Sequence, residues 1–429
     1  MPTGRVVAGR LVRLTARSLV VAALLATAWP VATAAPAAAE DVDCLAVAEG
    51  DPRPSTQVAS APLSTMGVDL AQDRLRRTGA RPAGAGVTVA VLSSGISRDA
   101  GLPLADGGTS VVGPGPVVDP TGTIVAGLVA GPERAADLPV GVAPGAELVD
   151  VRVHDRVTPA SEGEAGPTAE ALAEGLAHVR DRLPRVDVVV VPLQVGPDAR
   201  VRRVVSDLVG AGVLVVAQAG DRPADTSTEG GDRLAVLSEQ LPGEDAGPLV
   251  APASAEGVVA AGPVPEEARA ALRSTALDVV APSEGAVSTS LVGGTCVVGE
   301  VRSAWSAAYV AGLLALLRSA HPEESSGALV ARLVGTADGR PDVRSPLTGA
   351  GQVRALAALT ATPGEVADGL DAVFAADTAL PPAAGAATAP VADADPLAAA
   401  REQAVWWGLL GGGVLLLALL LRPLVRRAG

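Results

Sequence analysis

Between about residues 81 and 360 the chain alternates short, unbroken apolar runs with longer stretches whose apolar residues recur every three or four positions. The short runs are VTVAVL (Val87–Leu92), ELVDVRV (Glu147–Val153), VDVVVV (Val186–Val191) and VLVVAQ (Val213–Gln218), nearly all Val and Leu. A strand with one face in water alternates polar and apolar residues; runs without that alternation are covered on both faces, as in a parallel sheet. The stretches Gly122–Ala130, Thr168–Leu183 and Ala199–Val209 carry the helical period. Strand, helix, strand in this order predicts an α/β fold, a parallel sheet with helices on both sides. VRSAWSAAYVAGLLALL (Val301–Leu317) reads as a small-residue turn entering an apolar helix. Residues 40–80, rich in Pro and polar side chains, are expected to wrap this body as an extension, with a short helix over Gly67–Thr78. In such sheets functional side chains gather where the strands end.

The two ends of the chain follow a different pattern. Arg5, Arg10, Arg13 and Arg17 precede a mostly apolar stretch, Ser18–Trp29, and ATAAPAAAE then offers small-residue cleavage sites near Ala35 or Ala39. That is the layout of a secretory signal over residues 1–39. At the other end Ala404–Leu421 is an uncharged run of 18 residues, about 27 Å as a helix and long enough to cross a bilayer core. Trp406 and Trp407 lie at one end of it, Arg422, Arg426 and Arg427 at the other. The arginines place the tail, 422–429, in the cytoplasm. The linker, 361–403, is Ala-, Pro- and Asp-rich from Ala376 onward and has almost nothing to bury, so it is expected to be a disordered tether. The expected location is the cell membrane, spanned once, with the body (81–360) outside the cytoplasm.

Composition narrows the partners. Acidic residues outnumber basic ones 47 to 33, for a net charge of −14, and every basic side chain is Arg. The phosphate backbone of a nucleic acid needs a basic face, so nucleic acid is not expected as a partner. Four Trp, one Tyr and one Phe leave the core to Ala, Val and Leu. Export into an oxidising compartment makes Cys44 and Cys296, the two cysteines present, candidates for a disulfide, with two free thiols as the alternative. No acidic loop is specific enough to name metal ligands, and no cofactor is expected.

The order of motifs resembles the subtilisin-type serine proteases (peptidase S8), most closely the mycosins, which are signal-bearing, C-terminally anchored subtilases associated with type VII secretion. GAGVTVAVLSSGI (Gly84–Ile96) resembles the strand that normally ends Val-Ile-Asp-Thr-Gly, and TGTIVAGLVAG (Thr121–Gly131) the helix that normally begins His-Gly-Thr. GVAPGAEL (Gly141–Leu148) is close to the family's Gly-Val-Ala-Pro, and APASAEGVVAAG (Ala251–Gly262) and LDVVAPSEG (Leu277–Gly285) resemble its later strands. The resemblance implies a subtilisin-like fold over residues 81–360.

It also implies a site from which the chemistry has gone. The family's aspartate falls on Ser93, its general-base histidine on Thr121, its nucleophile on Ala304 and its oxyanion asparagine on Asp221. Alanine cannot attack a carbonyl, and threonine cannot take up a proton as imidazole does. An ionised Asp221 would place negative charge where the transition state develops it. In subtilisin, loss of the serine or the histidine alone costs about six decades of rate. Arg302 stands where the family has a glycine that lets substrate approach, and Trp305 is expected either in the core or in part of the old cleft. His154, His178 and His321 are the histidines present, and each is expected to be structural or on the surface; only His154 falls near a strand end. The serines beside the altered positions, Ser94, Ser303 and Ser306, suit caps better than nucleophiles. Asp119-Pro120 predicts a capping carboxylate with proline at the first helical position.

The resemblance therefore implies a membrane-tethered pseudoprotease serving as a structural part of a type VII secretion membrane complex. Three other readings stand beside it: an active serine endopeptidase with relocated groups, a non-cleaving module that pairs an extended peptide in the inherited cleft, and a surface pseudoprotease unrelated to secretion.

Overall fold

The Val-rich runs become strands of one seven-stranded sheet, in the order β2-β3-β1-β4-β5-β6-β7. The computed structural model describes residues 41–361 apart from 135–137, 183–185, 224–233, 235, 239–242, 268–271 and 340–342. The strands are β1 (Thr88–Ser93), β2 (Thr109–Ser110), β3 (Glu147–Arg152), β4 (Val188–Val191), β5 (Leu214–Gln218), β6 (Val258–Gly262) and β7 (Val279–Val280). Pairing is parallel throughout this sheet, with Ser93 opposite Arg152 and Val91 opposite Val190. The helices are α1 (Ala61–Thr65), α2 (Val68–Thr78), α3 (Thr121–Ala130), α4 (Ala169–Arg182), α5 (Ala199–Gly210), α6 (Ser303–Ala320), α7 (Ser326–Gly335) and α8 (Ala355–Thr360).

Alternate residues of each strand feed two cores, which is why the strands show no polar face. Val89, Val91, Val188, Val190 and Val216 pack toward α2, α3 and α6. Ala90, Leu92, Val149, Val189 and Val191 pack toward α4 and α5. Along α6 nearly every residue is buried, and the helix lies against β4, β5 and β6. A helix apolar on all sides has no face to give to water and so belongs inside.

The expected strands and helices from Val87 to Gly210 agree with the observed ones to within one or two residues, and the expected helix near residue 67 is α2 with Gly67 as its N-cap at φ +68°. The later runs shrink to the five residues of β6 and the two of β7. The short edge strand β2, the hairpin of β8 (Val287–Thr289) and β9 (Thr295–Val297), and helices α7 and α8 had no counterpart in the sequence reading.

The N-terminal extension lies along β9. Thr295 N–H donates to Pro54 O (2.9 Å) and Val297 N–H to Val42 O (2.9 Å). Cys44 is bonded to Cys296 on β9, closing a separation of 252 residues. Further on, the Ser60 hydroxyl lies 3.3 Å from the buried Tyr309 hydroxyl of α6. The expected signal (1–39), the linker beyond Ala361, the span (404–421) and the tail (422–429) lie outside the described residues. Among the described residues no helix is long and apolar enough to cross a membrane.

Candidate functional site

Two contact groups form at the C-terminal ends of the central strands. In the first, β1 ends at Ser93 and turns through Ser94 and Gly95. Gly95 has φ +98°, and a Cβ on Gly122 would lie 2.3 Å from the Gly95 carbonyl oxygen. Helix α3 reaches this turn only because residue 122 lacks a side chain. The Ser94 hydroxyl ties the two together, donating to Asp119 O (3.0 Å) and accepting Gly122 N–H (3.0 Å). The turn bearing Ser93 is thereby held against the helix start bearing Thr121.

The helix start itself differs from expectation by one residue. Helix α3 begins at Thr121 with Pro120 in the N-cap position, not with Asp119 there and Pro120 as the first helical residue. Pro120 already has helical dihedrals (φ −72°, ψ −10°), so Asp119 still reaches over it, and its Oδ1 accepts Thr121 N–H at 2.8 Å.

The second group joins the loop after β5 to α6. Gln194 brackets the Asp221 backbone: its Oε1 accepts Asp221 N–H (2.8 Å) and its Nε2–H donates to Asp221 O (3.0 Å). Asp221 is thereby turned toward the helix. Its two oxygens accept Ser303 N–H at 2.9 and 3.1 Å. Its Oδ1 also lies 2.7 Å from Ser303 Oγ, which shares its one proton with Gly220 O at 2.9 Å. Arg302, the N-cap residue, makes no side-chain capping bond. Asp221, 82 positions before Ser303, is therefore the cap of α6. Burial pushes its carboxyl above the usual range, and the bonds from Ser303 pull it back.

The neighbouring side chains are locally satisfied. Arg302 pairs with Glu300 and lies 5.9 Å from the Trp305 ring centroid. Trp305 is core: it is fully buried and its Nε1–H donates to Glu300 O at 3.0 Å. Ser306 donates to Ala281 O at 2.8 Å. Thus Ser94, Ser303 and Ser306 all serve backbone groups, as cap-type serines do.

Ser93 is 1% exposed, Thr121 2% and Ala304 3%, so none of the three presents a surface to substrate. Ser93 Oγ is buried without a hydrogen-bond partner. Opposite it in register, Arg152 is held by Asp155 and by Gly115 O (2.8 Å). Two residues further along, His154 is fully buried. Burial pushes its imidazole down to about 4, against the pull of Asp119 and Asp155. It is therefore neutral near pH 7 and structural, not a surface residue. His178 Nε2 is 3.0 Å from Gly107 O, and His321 Nε2 3.1 Å from Leu359 O. No described histidine bonds to Ser93, Thr121 or Ala304. Among the described residues no three or more His, Cys, Asp or Glu side chains are placed to hold a metal ion.

The sequence reading treated Asp221 only as an obstacle to an oxyanion. Its capping role needed a contact between distant segments, and no local signal announces it.

Known proteins match this architecture. Residues 84–353 match the Subtilase family, Peptidase_S8. Mycosin-1 of Mycobacterium tuberculosis (strain ATCC 25618 / H37Rv) is 28% identical over 313 residues, covering 65% of this chain and 69% of that protein. Among solved structures, the MycP3 protease from the type VII (ESX-3) secretion system superposes with a TM-score of 0.56 at 24% identity, over 76% of this chain and 93% of that one. The periplasmic assembly from the ESX-5 inner membrane complex gives a TM-score of 0.56 at 20% identity, over 76% and 90%. At such identities the likeness to solved structures concerns the fold. The family match spans well over half of the residues and takes in β1 and the central helix α6, and on that ground the chain belongs to the subtilase family.

Proposed function

We propose that this subtilase is a mycosin-like pseudoprotease: exported by its signal (1–39), held in the membrane by residues 404–421 beyond a linker (361–403), and working as a structural component of a type VII secretion membrane complex. One observation carries the loss of activity. The residues matched to general base and nucleophile, Thr121 and Ala304, are buried and chemically inert, and Asp221, matched to the oxyanion donor, spends its carboxylate on Ser303 N–H. No base, attacking atom or oxyanion donor remains at those positions. Similarity to Mycosin-1, and the fold shared with MycP3 and with the ESX-5 inner membrane assembly, support the setting. A wrapped extension tied by a disulfide suits a body that outlasts exposure outside the cell.

The test uses the full chain in detergent. Incubation with a fluorophosphonate probe and with casein should give neither labelling nor turnover, and affinity purification from native membranes should recover secretion-complex subunits. Labelling that maps to one serine would remove the pseudoprotease reading; purification of the chain alone would remove the assembly role.

A further inference from the structure

The chain leaving β3 runs through His154 into a loop, residues 155–165, that closes on itself. Asp155 N–H donates to Ala165 O (2.7 Å) and Ala165 N–H to Asp155 Oδ2 (2.8 Å), so the two ends meet. Inside the loop, Glu164 accepts Ala160 N–H at 2.7 Å and lies 3.4 Å from Arg156. Such loops are compact units packed by their own side chains. Residues 158–163 are exposed, so little apolar burial holds this one down. A bond ties it to the helix start that bears Thr121: Val157 N–H donates to Asp119 Oδ2 (3.3 Å), while Asp119 Oδ1 accepts Thr121 N–H (2.8 Å).

His154, fully buried, stands at the root of this loop. The charged groups acting on its ring are Asp119 from the start of α3, Asp155 of the loop and Arg152 of β3, with the Arg156 main chain beside it. Both carboxylates are already committed: Asp119 to Thr121 N–H and Val157 N–H, Asp155 to Arg152 and Ala165 N–H. A neutral imidazole leaves those bonds in place. An imidazolium is costly to bury without a counter-charge. It must either reach water, which needs the loop to lift, or draw on Asp119 and Asp155, which takes from the loop the acceptors that close it. Burial holds the ring down to about 4, against about 6.5 in water. The closed loop therefore disfavours the proton and the open loop accepts it.

We infer that loop 155–165 is an acid-released strap, closed against the start of α3 while His154 is neutral and lifted from it when His154 takes up a proton. Because the open state binds the proton more tightly, opening rises as pH falls, by about tenfold from pH 7.5 to 5.5. Asp150, earlier on β3, titrates in the same range, its carboxyl pushed up to about 6 by burial. Acid neutralises that carboxyl in place, which favours the closed form, so Asp150 works against the release and cannot imitate it. The strap does not depend on whether the chain cleaves peptides, so it and the pseudoprotease reading fail separately.

The experiment is hydrogen–deuterium exchange of the full chain in detergent, read by mass spectrometry from pH 7.5 to 4.5 and corrected for the intrinsic rate at each pH. The amides of Val157, Ala160 and Ala165 should lose protection about tenfold between pH 7.5 and 5.5, with those of β1 and α6 unchanged. His154→Gln should abolish that dependence. Should the variant fail to fold, the wild-type profile reads the same proton: protection of the loop should fall by about one decade per pH unit below about pH 6.5. Equal protection of the loop at pH 7.5 and 5.5, a loss that begins only below about pH 4.5, where ordinary carboxylates titrate, the same loss in His154→Gln, or an equal loss in β1 and α6 would each overturn the assignment.

Discussion

Replacing Asp221 should weaken the fold, and Asp221→Ala should weaken it more than Asp221→Asn. The carboxylate accepts the first N–H of α6 through both oxygens, at 2.9 and 3.1 Å, and the N-cap residue itself, Arg302, makes no side-chain capping bond. A helix cap contributes about 0.5–2 kcal/mol. Negative charge at a helix start adds about 0.3–1 kcal/mol. The cost of burying the carboxylate, visible in its raised pKa, offsets part of this. The net loss for Asp221→Ala is about 2 kcal/mol by these magnitudes. Asparagine keeps one oxygen for Ser303 N–H but turns an amide NH2 toward the same donor, so about half that loss is expected. Urea unfolding of each variant, followed by far-ultraviolet circular dichroism, measures the difference as a shift in midpoint at constant slope. If Asp221→Asn were as stable as the wild type or more so, the carboxylate would be a buried burden and not a cap. The asparagine that a working subtilase uses for its oxyanion would thus cost this chain part of its fold.

Ala304→Ser alone should leave hydrolysis of a peptide library at background, since Thr121 offers no base; activity is expected only with Ser93→Asp, Thr121→His and Asp221→Asn added, and turnover by the single variant would expose a hidden base. Cys44→Ser with Cys296→Ser should cost about 2–5 kcal/mol in urea, given the length of chain the bond closes, and the loss should match that of reduced wild type. His154 takes up a proton near pH 4 when folded and near pH 6.5 when unfolded, so the unfolded state binds it first on acidification and stability falls between those values. Relative to His154→Leu, wild-type stability should therefore decline by up to about 1.4 kcal/mol per pH unit over that window; a difference independent of pH would place the imidazole in water.

The sheet was legible because its strands are continuous Val and Leu, and burial on both faces leaves that signature in the sequence alone. Helix α6 was legible for the same reason. The hairpin of β8 and β9 was not: VSTS and TCVV carry no run of their own, and the partners that flank β9, the extension and Cys44, are distant in sequence. Helix α8, six residues long, is too short to show a period. Ser93, Thr121 and Ala304 were singled out by place in the motif order alone, since they are unremarkable residues in themselves. What each does had to come from three-dimensional neighbours, above all for Asp221, Arg152 and His154.

The extension also changes what this body can offer its surroundings. β9 pairs with β8 on one side, and on the other its N–H groups at Thr295 and Val297 are taken by Pro54 and Val42. A naked strand edge invites another chain to add itself, and proteins that cannot tolerate this cover the edge. Here the cover is the chain's own leading segment, locked by a covalent bond that thermal fluctuation does not open. The hairpin can therefore neither seed intermolecular sheet growth nor recruit a neighbour through its main chain along this edge. Whatever meets this side of the molecule must be recognised through side chains.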